Sequence, residues 1–249
     1  MEEYMRNYEK YEYSIIYDFE MGNGGIADCI KFFMILLDSC MKEGKRLYYK
    51  RNSIQIEKYI KLIYDKMYIE KASSSDRVSI IKPHEHPLYY SSIQHDFKTP
   101  IEQVFYFTEE VKANRNYLLD PKITVYKSIH LRLGDKYLET DTQYILCKND
   151  IRGYSEEKIF KYIEDNNDKN IFFCCDNNSY KIKIKEKYPN IIVTLCNIGH
   201  TSLSNTTEKQ VLDAITEFYI LTNSQSIFCA SRSGFSAIAA QFKKIPTLR

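Results

Sequence analysis

The feature that most constrains the fold is a strand, a glycine-rich turn, a helix and a second strand in direct succession near the N-terminus. Residues 14–19, SIIYDF, have the composition of a strand, and three glycines follow within residues 22–25. An apolar helix is predicted from about residue 26 to residue 41, and residues 46–51, RLYYKR, predict the next strand. This unit is the building block of parallel α/β sheets.

The rest of the chain continues the alternation of helices and strands. Helices are predicted over residues 54–68, 100–119, 155–164, 179–188, 207–222 and 234–242, and strands over 77–82, 128–133, 170–175, 191–195, 226–230 and 246–249. We therefore expect two Rossmann-like α/β halves, residues 1–120 and 121–249, that face each other across a cleft. Ligands of such sheets bind outside the carboxyl ends of the strands.

Composition excludes several classes of protein. The chain has 35 Lys and Arg against 33 Asp and Glu, a net charge of +2, which argues against a nucleic-acid partner. Its mean hydropathy is −0.44, and no apolar run approaches the roughly 18 residues of a membrane span, so we expect no integral membrane segment. The charged N-terminus lacks the apolar region of a signal peptide, and seven cysteines without a spaced framework indicate a reducing compartment. These features predict a cytoplasmic protein.

Glycine is scarce, which makes its positions informative. Only 8 of the 249 residues are glycine, less than half of the usual share of about 7%. The positions that keep glycine are expected to need its conformational freedom or its lack of a side chain. Five of the eight lie at predicted strand ends, namely Gly22, Gly24, Gly25, Gly134 and Gly234.

Two motifs at strand ends suit an anionic ligand. The turn from Glu20 to Asp28, EMGNGGIAD, leads into a helix whose N-terminus favours anions, although an ordinary strand–helix turn would look similar. In the second motif, HLRLGD, His130 and Arg132 project to the same face of a strand. The planar fork of an arginine suits a phosphate, although a surface Arg–Asp pair beside a core histidine is the alternative.

Two further motifs follow later strands. The segment 231–236, SRSGFS, places small hydroxyls and backbone amides at a helix start, where they could cradle a phosphate or could simply cap the helix. Asp176 follows an apolar strand and could hold a ribose or a base edge, or could cap the next helix. All four motifs are therefore expected at one edge of their sheets.

The ordered set resembles the fucosyltransferases of the GT-B fold, which include the α1,2-, α1,6- and protein O-fucosyltransferases. H-x-R-x-G-D is similar to their first motif, with Leu133 where many relatives carry a second arginine. Gly22-Asn23 with Ala27-Asp28 is similar to their N-terminal glycine–asparagine loop. The strand that ends at Asp176 and the S-x-S-G-F-S segment are similar to their later motifs, with Gly234 in place of a hydroxyl.

The resemblance implies a GDP-fucose donor site. Arg132 would contact the β-phosphate, Asn23 would lie near the transferred sugar and the acceptor, and Asp28 is a candidate general base, as is Glu20. Asp135 is expected to orient Arg132. The expected substrate-binding residues are Gly22, Gly24, Gly25, His130, Gly134, Asp135, Asp176, Ser231, Ser233, Gly234, Phe235 and Ser236.

The mechanism that fits is inverting and independent of a metal. No Asp-x-Asp is present, and the nearest carboxylate pairs, Asp18-x-Glu20 and Glu139-x-Asp141, are expected to be solvated. No cofactor is expected, because an arginine and helix-terminus amides can neutralise the leaving diphosphate. The predicted reaction transfers fucose from GDP-fucose to a hydroxyl of a glycan or a related acceptor. The alternatives are another nucleotide sugar as donor, or a non-catalytic remnant that binds a nucleotide or a glycan.

Two further patterns are not assigned to the site. His84-x-His86 supplies too few ligands for a metal. The four lysines at alternate positions from Lys181 to Lys187 are interpreted as a solvated helix face.

Overall fold

Two four-stranded parallel sheets, one in each half of the chain, form the framework. The computed structural model describes residues 1–71, 77–83, 96–196 and 198–249. The strands of the first sheet are β1 (Ser14–Tyr17), β2 (Arg46–Lys50), β4 (Tyr68–Ile69) and β5 (Val78–Ile81). Their order is β4-β2-β1-β5, and every pairing is parallel.

The strands of the second sheet are β7 (Lys127–Leu131), β8 (Ile171–Cys175), β9 (Ile227–Cys229) and β10 (Thr247–Leu248). Their order is β10-β9-β7-β8, and this sheet is also parallel throughout. Because β7 lies between β8 and β9, the residues that follow these three strands meet at one edge. This is the edge at which a ligand is expected.

The helices begin and end largely where capping residues predict. They are α1 (Glu2–Asn7), α2 (Ile26–Glu43), α3 (Ile56–Tyr59), α4 (Glu109–Leu118), α5 (Glu156–Glu164), α6 (Asn178–Lys187), α7 (Glu208–Leu221) and α8 (Gly234–Phe242). Gly44 ends α2 in the left-handed conformation, with φ of 66°, and donates its N–H to the carbonyl of Cys40. Thr207 and Gln210 form a capping box at the start of α7.

The two halves share one large hydrophobic core. Phe107, from the first half, packs its ring 5.0 Å from that of Phe242 and 6.2 Å from that of Phe218. Helix α2 packs on α8, and α4 packs on α7. A second, smaller cluster around Ile129 and Leu131 lies on the other side of the second sheet. The shared core fixes the distance between the glycine-rich turn and the second sheet. The predicted boundary between residues 120 and 121 stays a prediction.

Three predicted elements are wrong. The predicted helix over residues 54–68 is a single turn, α3, followed by strand β3 (Ile60–Leu62). The predicted helix over residues 100–119 contains strand β6 (Phe105–Phe107) before α4 begins. The two strands pair antiparallel as a separate ribbon, in which buried and exposed residues alternate with the period of a strand. The predicted strand over residues 191–195 is reduced to one bridge, from Ile192 to Phe172.

The α/β class and the two facing parallel sheets agree with the sequence prediction. His84 and His86 lie outside the described residues. No helix in the described ranges is both long and apolar enough to cross a bilayer.

Candidate functional site

Arg132 is the first residue beyond β7, and three carboxylates surround its guanidinium group. One terminal nitrogen bonds to Asp135, and the other lies 3.2 Å from an oxygen of Asp176. Asp150 lies 4.0 Å away. Because the Arg132 side chain is only 21% exposed, these pairs hold the guanidinium in one orientation at the sheet edge.

Asp176 fastens the turn that carries Arg132. Its carboxylate accepts the N–H of Leu133 at 2.7 Å and the N–H of Gly134 at 3.0 Å, and the residue is 8% exposed. The end of β8 thereby positions the end of β7. Both carboxylate oxygens are bonded to the chain itself, and the predicted contact of Asp176 with guanine or ribose stays a prediction.

Asp135 orders the loop that follows. One of its oxygens bonds Arg132, and the other accepts the N–H groups of Leu146 and Cys147 at 3.2 and 3.0 Å. The geometry agrees with the expectation that Asp135 orients Arg132. Gly134, between them, has φ of 106°, and a Cβ at this position would collide with the backbone carbonyl of Asp150. The turn therefore requires glycine.

The S-R-S-G-F-S segment binds its hydroxyls to the chain. Ser231 accepts the N–H of Arg132 at 2.8 Å and donates to the carbonyl of the same residue at 2.9 Å, which ties the end of β9 to the end of β7. Ser233 caps α8 by accepting the N–H of Phe235 at 3.2 Å. Ser236 is buried and donates to the carbonyl of Ser233. This segment therefore builds the helix start, and its predicted contacts with a diphosphate stay predictions.

His130 is a neutral side chain inside the site. It is 4% exposed, and its ring stacks on Phe235 with 5.3 Å between the centroids. Burial, together with the charges of Arg132 and Lys181, lowers the pKa of His130 to about 3. Its Nδ1 has no hydrogen-bond partner among the residues that the structure describes.

The glycine-rich turn lies opposite the second sheet. A Cβ on Gly234, at the start of α8, would lie 3.6 Å from Cβ of Ala27, so the first turns of α2 and α8 meet across the cleft. Gly24 has φ of 132°, and a Cβ there would lie 2.6 Å from the Asp28 carboxylate. Gly25 follows it at the N-cap of α2. Two helix N-termini thus converge near Arg132, where an anion is favoured.

The candidate bases both have partners. The Asp28 carboxylate accepts the N–H of Gly25 at 3.3 Å and pairs with Lys31 at 3.1 Å. Glu20 pairs with Lys82 at 3.0 Å, and its side chain is 46% exposed. Asn23 is 9% exposed and donates its backbone N–H to the carbonyl of Glu20.

Two solvation predictions need correction. Lys181 is fully buried, because its ammonium donates to Glu217 at 2.6 Å and to the carbonyl of Thr194 at 2.8 Å, whereas the other three lysines of the run are exposed.

Asp18 is 4% exposed and bonds Lys50 at 2.9 Å and Asn52 at 2.7 Å. Burial raises the pKa of Asp18, but these hydrogen bonds outweigh it and hold the pKa below its usual range.

A residue that the sequence patterns did not single out also lies in this cleft. His200 donates its backbone N–H to the carbonyl of Tyr144, and Ser202 accepts the N–H of Gly22 at 2.8 Å. The segment that carries them therefore contacts both the loop after Arg132 and the glycine-rich turn. Residues 195–206 have no helix or strand period, and the only available signal was a histidine between two predicted elements.

A cavity of about 450 Å³ opens beside the start of α8. Its lining includes Ser231, Ser233 and Ser236 from the second half and Phe97 and Thr99 from the first half. Within residues 1–71, 77–83, 96–196 and 198–249, no three His, Cys, Asp or Glu side chains are arranged to hold a metal ion.

The fold and the site together define a GT-B-like α/β protein in which the geometry of two parallel sheets places Arg132 at a sheet edge. No protein-family model and no curated protein match the chain. Among solved structures, it is similar to NodZ α1,6-fucosyltransferase soaked with GDP-fucose, with a TM-score of 0.60, 10% identity and 92% of each chain covered. The fucosyltransferase NodZ from Bradyrhizobium gives a TM-score of 0.58 at 11% identity, covering 91% of this chain and 92% of that one.

The fold is also similar to that of a plant protein. A mutant of Arabidopsis thaliana FUT1 in complex with GDP has a TM-score of 0.57 at 11% identity, covering 99% of this chain and 74% of that chain. The chain therefore has the GT-B fold of the fucosyltransferases, as its motifs predict.

Proposed function

We propose that the protein is a glycosyltransferase that transfers fucose from GDP-fucose to a hydroxyl of a glycan or a related acceptor. The observation that carries the proposal is Arg132, held by Asp135 and Asp176 at the sheet edge where the starts of α2 and α8 converge. One of the similar structures was soaked with GDP-fucose and another was solved in complex with GDP, which supports this choice of donor.

The chemistry follows from charge. As the bond between the sugar and the diphosphate breaks, the leaving diphosphate gains negative charge. A guanidinium group has five N–H donors, and the pairs with Asp135 and Asp176 leave some of these for phosphate oxygens. The amides of the two helix starts add positive potential, so the proposed reaction uses no metal.

The proposed stereochemical course is a single displacement with inversion. The acceptor hydroxyl attacks the anomeric carbon from the face opposite the diphosphate, and its proton passes to a carboxylate or to water. Glu20 and Asp28 are the carboxylates of the glycine-rich turn. Comparing the loss of activity in Glu20→Gln with that in Asp28→Asn would show which of the two is the stronger candidate for the general base.

The test compares Arg132→Lys with the wild-type protein. Lysine keeps the charge between Asp135 and Asp176, so the variant is expected to fold, but it lacks the planar fork that binds two oxygens. We expect transfer from GDP-fucose to fall by about 10²-fold or more. Arg77→Lys is the control, because Arg77 is exposed and pairs with exposed Glu12. Full activity in Arg132→Lys would contradict the proposal.

The nucleotide is tested by calorimetry. Tighter binding of GDP than of UDP supports the fucose donor, whereas tighter binding of UDP favours another nucleotide sugar. Binding without any transfer or donor hydrolysis favours a non-catalytic remnant.

A further inference from the structure

His200 has an unusual position in the cleft. The charged groups that act on its ring come from both halves, namely Asp135, Arg132, Asp28 and Asp150. Its backbone is held from two sides, since its N–H donates to Tyr144 and its carbonyl accepts the hydroxyl of Thr206 at 2.6 Å. The segment that carries the ring is therefore held in the cleft between the loop after Arg132 and the glycine-rich turn, and it belongs to none of the four motifs.

The hydrogen bonds of His200 define its tautomer. Nδ1 lies 3.3 Å from the backbone N of Ser202, and a backbone N–H can only donate. Nδ1 must therefore accept, which leaves the proton of the neutral ring on Nε2. The Ser202 hydroxyl, 2.8 Å from Nδ1, can donate to the same atom. Burial is the main cause that lowers the pKa of His200, in agreement with a neutral ring.

The remaining N–H of the ring has no hydrogen-bond partner in the described part of the chain. The hydrogen bonds of the side chain all involve Nδ1. The position next to Arg132 offers no side-chain donor either, because Leu133 is apolar and buried in the core behind the sheet. His200 is therefore a neutral side-chain donor in the cleft that contains Arg132.

We propose that His200 binds the diphosphate of the donor nucleotide through its Nε2–H, as a second hydrogen-bond donor beside Arg132. The inference rests on the proposed function for the identity of the ligand, but it requires only a nucleoside diphosphate. A neutral donor suits this place, because carboxylates already surround Arg132, and the ring can bond a phosphate oxygen without carrying a charge of its own. The donor bond to a charged oxygen is worth about 10- to 100-fold in affinity.

Two substitutions separate this role from a structural one. Asparagine places its carbonyl oxygen near the position of Nδ1, so His200→Asn can keep the bond from Ser202 but has no donor at the ε position. Glutamine reaches the ε position with its amide NH₂, so His200→Gln keeps a donor. We expect His200→Asn to bind GDP about 10- to 100-fold more weakly, and His200→Gln to lie much closer to the wild-type protein.

The experiment is calorimetry with GDP and with UDP on the wild-type chain and both variants, each checked for an unchanged circular-dichroism spectrum. Wild-type affinity in His200→Asn for whichever nucleotide binds tighter would overturn the role of His200 and leave the fucosyltransferase proposal intact. If the wild-type chain prefers UDP and His200→Asn weakens nucleotide binding by the expected factor, the role of His200 stands and the fucosyltransferase proposal is wrong. If the wild-type chain binds neither nucleotide, both are wrong.

A second readout needs no ligand. In a ¹⁵N-histidine-labelled sample, with the His200 signals assigned by their loss in His200→Gln, the structure requires the proton on Nε2 at neutral pH. The Nε2–H resonance should shift when GDP is added. A proton found on Nδ1, or an Nε2–H resonance unmoved by GDP at saturation, would overturn the inference.

Discussion

Replacing Asp176 by asparagine tests whether one carboxylate holds the Arg132 turn. In the structure, the Asp176 carboxylate accepts the N–H groups of Leu133 and Gly134 and pairs with the guanidinium group. Asparagine has nearly the same shape, but it offers one oxygen and one NH₂ group. One backbone N–H of the turn, that of Leu133 or of Gly134, must therefore face the NH₂ group of the asparagine instead of an acceptor.

The magnitude follows from these contacts. A buried N–H left without an acceptor costs about 1–3 kcal/mol. The lost ion pair adds about 1 kcal/mol, because the Arg132 side chain is 21% exposed and solvent screens part of the attraction. Asp176→Asn should therefore lower the free energy of unfolding by about 2–4 kcal/mol.

The assay is urea denaturation followed by circular dichroism. Asp168→Asn is the matched control, because it makes the same chemical change at an exposed carboxylate that pairs with neighbouring Lys169. The control should unfold at nearly the same urea concentration as the wild-type protein. If Asp176→Asn unfolds at the same urea concentration as the control, the carboxylate does not hold the turn, and the reasoning is refuted.

Three other predictions concern stability. Lys181→Met should lower the free energy of unfolding, measured by urea denaturation, by about 3–5 kcal/mol, because it removes the ion-pair partner of the buried Glu217 carboxylate. The double variant with Glu217→Met should recover part of this loss, and equal losses in the single and double variants would contradict the buried pair. Gly134→Ala should destabilise the fold by about 1–3 kcal/mol, because it strains a positive φ. Gly153→Ala is the control, because a Cβ at this position meets open space, and it should unfold like the wild-type protein. His130 stays neutral in the folded protein but gains a proton in the unfolded chain below pH 6.5, so its contribution to the free energy of unfolding is fully present above that pH and has fallen by about 2 kcal/mol at pH 5. His130→Phe should remove this part of the pH dependence, and an unchanged pH profile would contradict the prediction.

The strand ends and helix starts could be predicted because local chemistry decides them. A glycine-rich turn before an apolar helix, a serine before α8 and a glycine after α2 each satisfy backbone groups within a few residues. The H-x-R-x-G-D motif also carries its own geometry, since Asp135 pairs with Arg132 three residues before it and Gly134 supplies the positive φ between them.

What could not be predicted depends on partners distant in sequence. Lys181 is buried because Glu217 lies 36 residues away on another helix, and no pattern within the lysine run reveals this. Strand β3 replaces a predicted helix because β6, more than 40 residues later, offers it an antiparallel partner. His200 is part of the cleft only because its segment bridges Tyr144 and Gly22.

The loop that Asp135 orders gives the protein a built-in optical probe site. Of the seven cysteines, Cys147 alone is exposed, while Cys29 and Cys40 are buried, and burial raises the pKa of each to about 12. A maleimide dye should therefore attach at Cys147, whose backbone N–H bonds the same carboxylate that holds Arg132. Any rearrangement of the Arg132 pairs when a nucleotide binds can thus be followed as a change in the fluorescence of the dye, without an introduced cysteine.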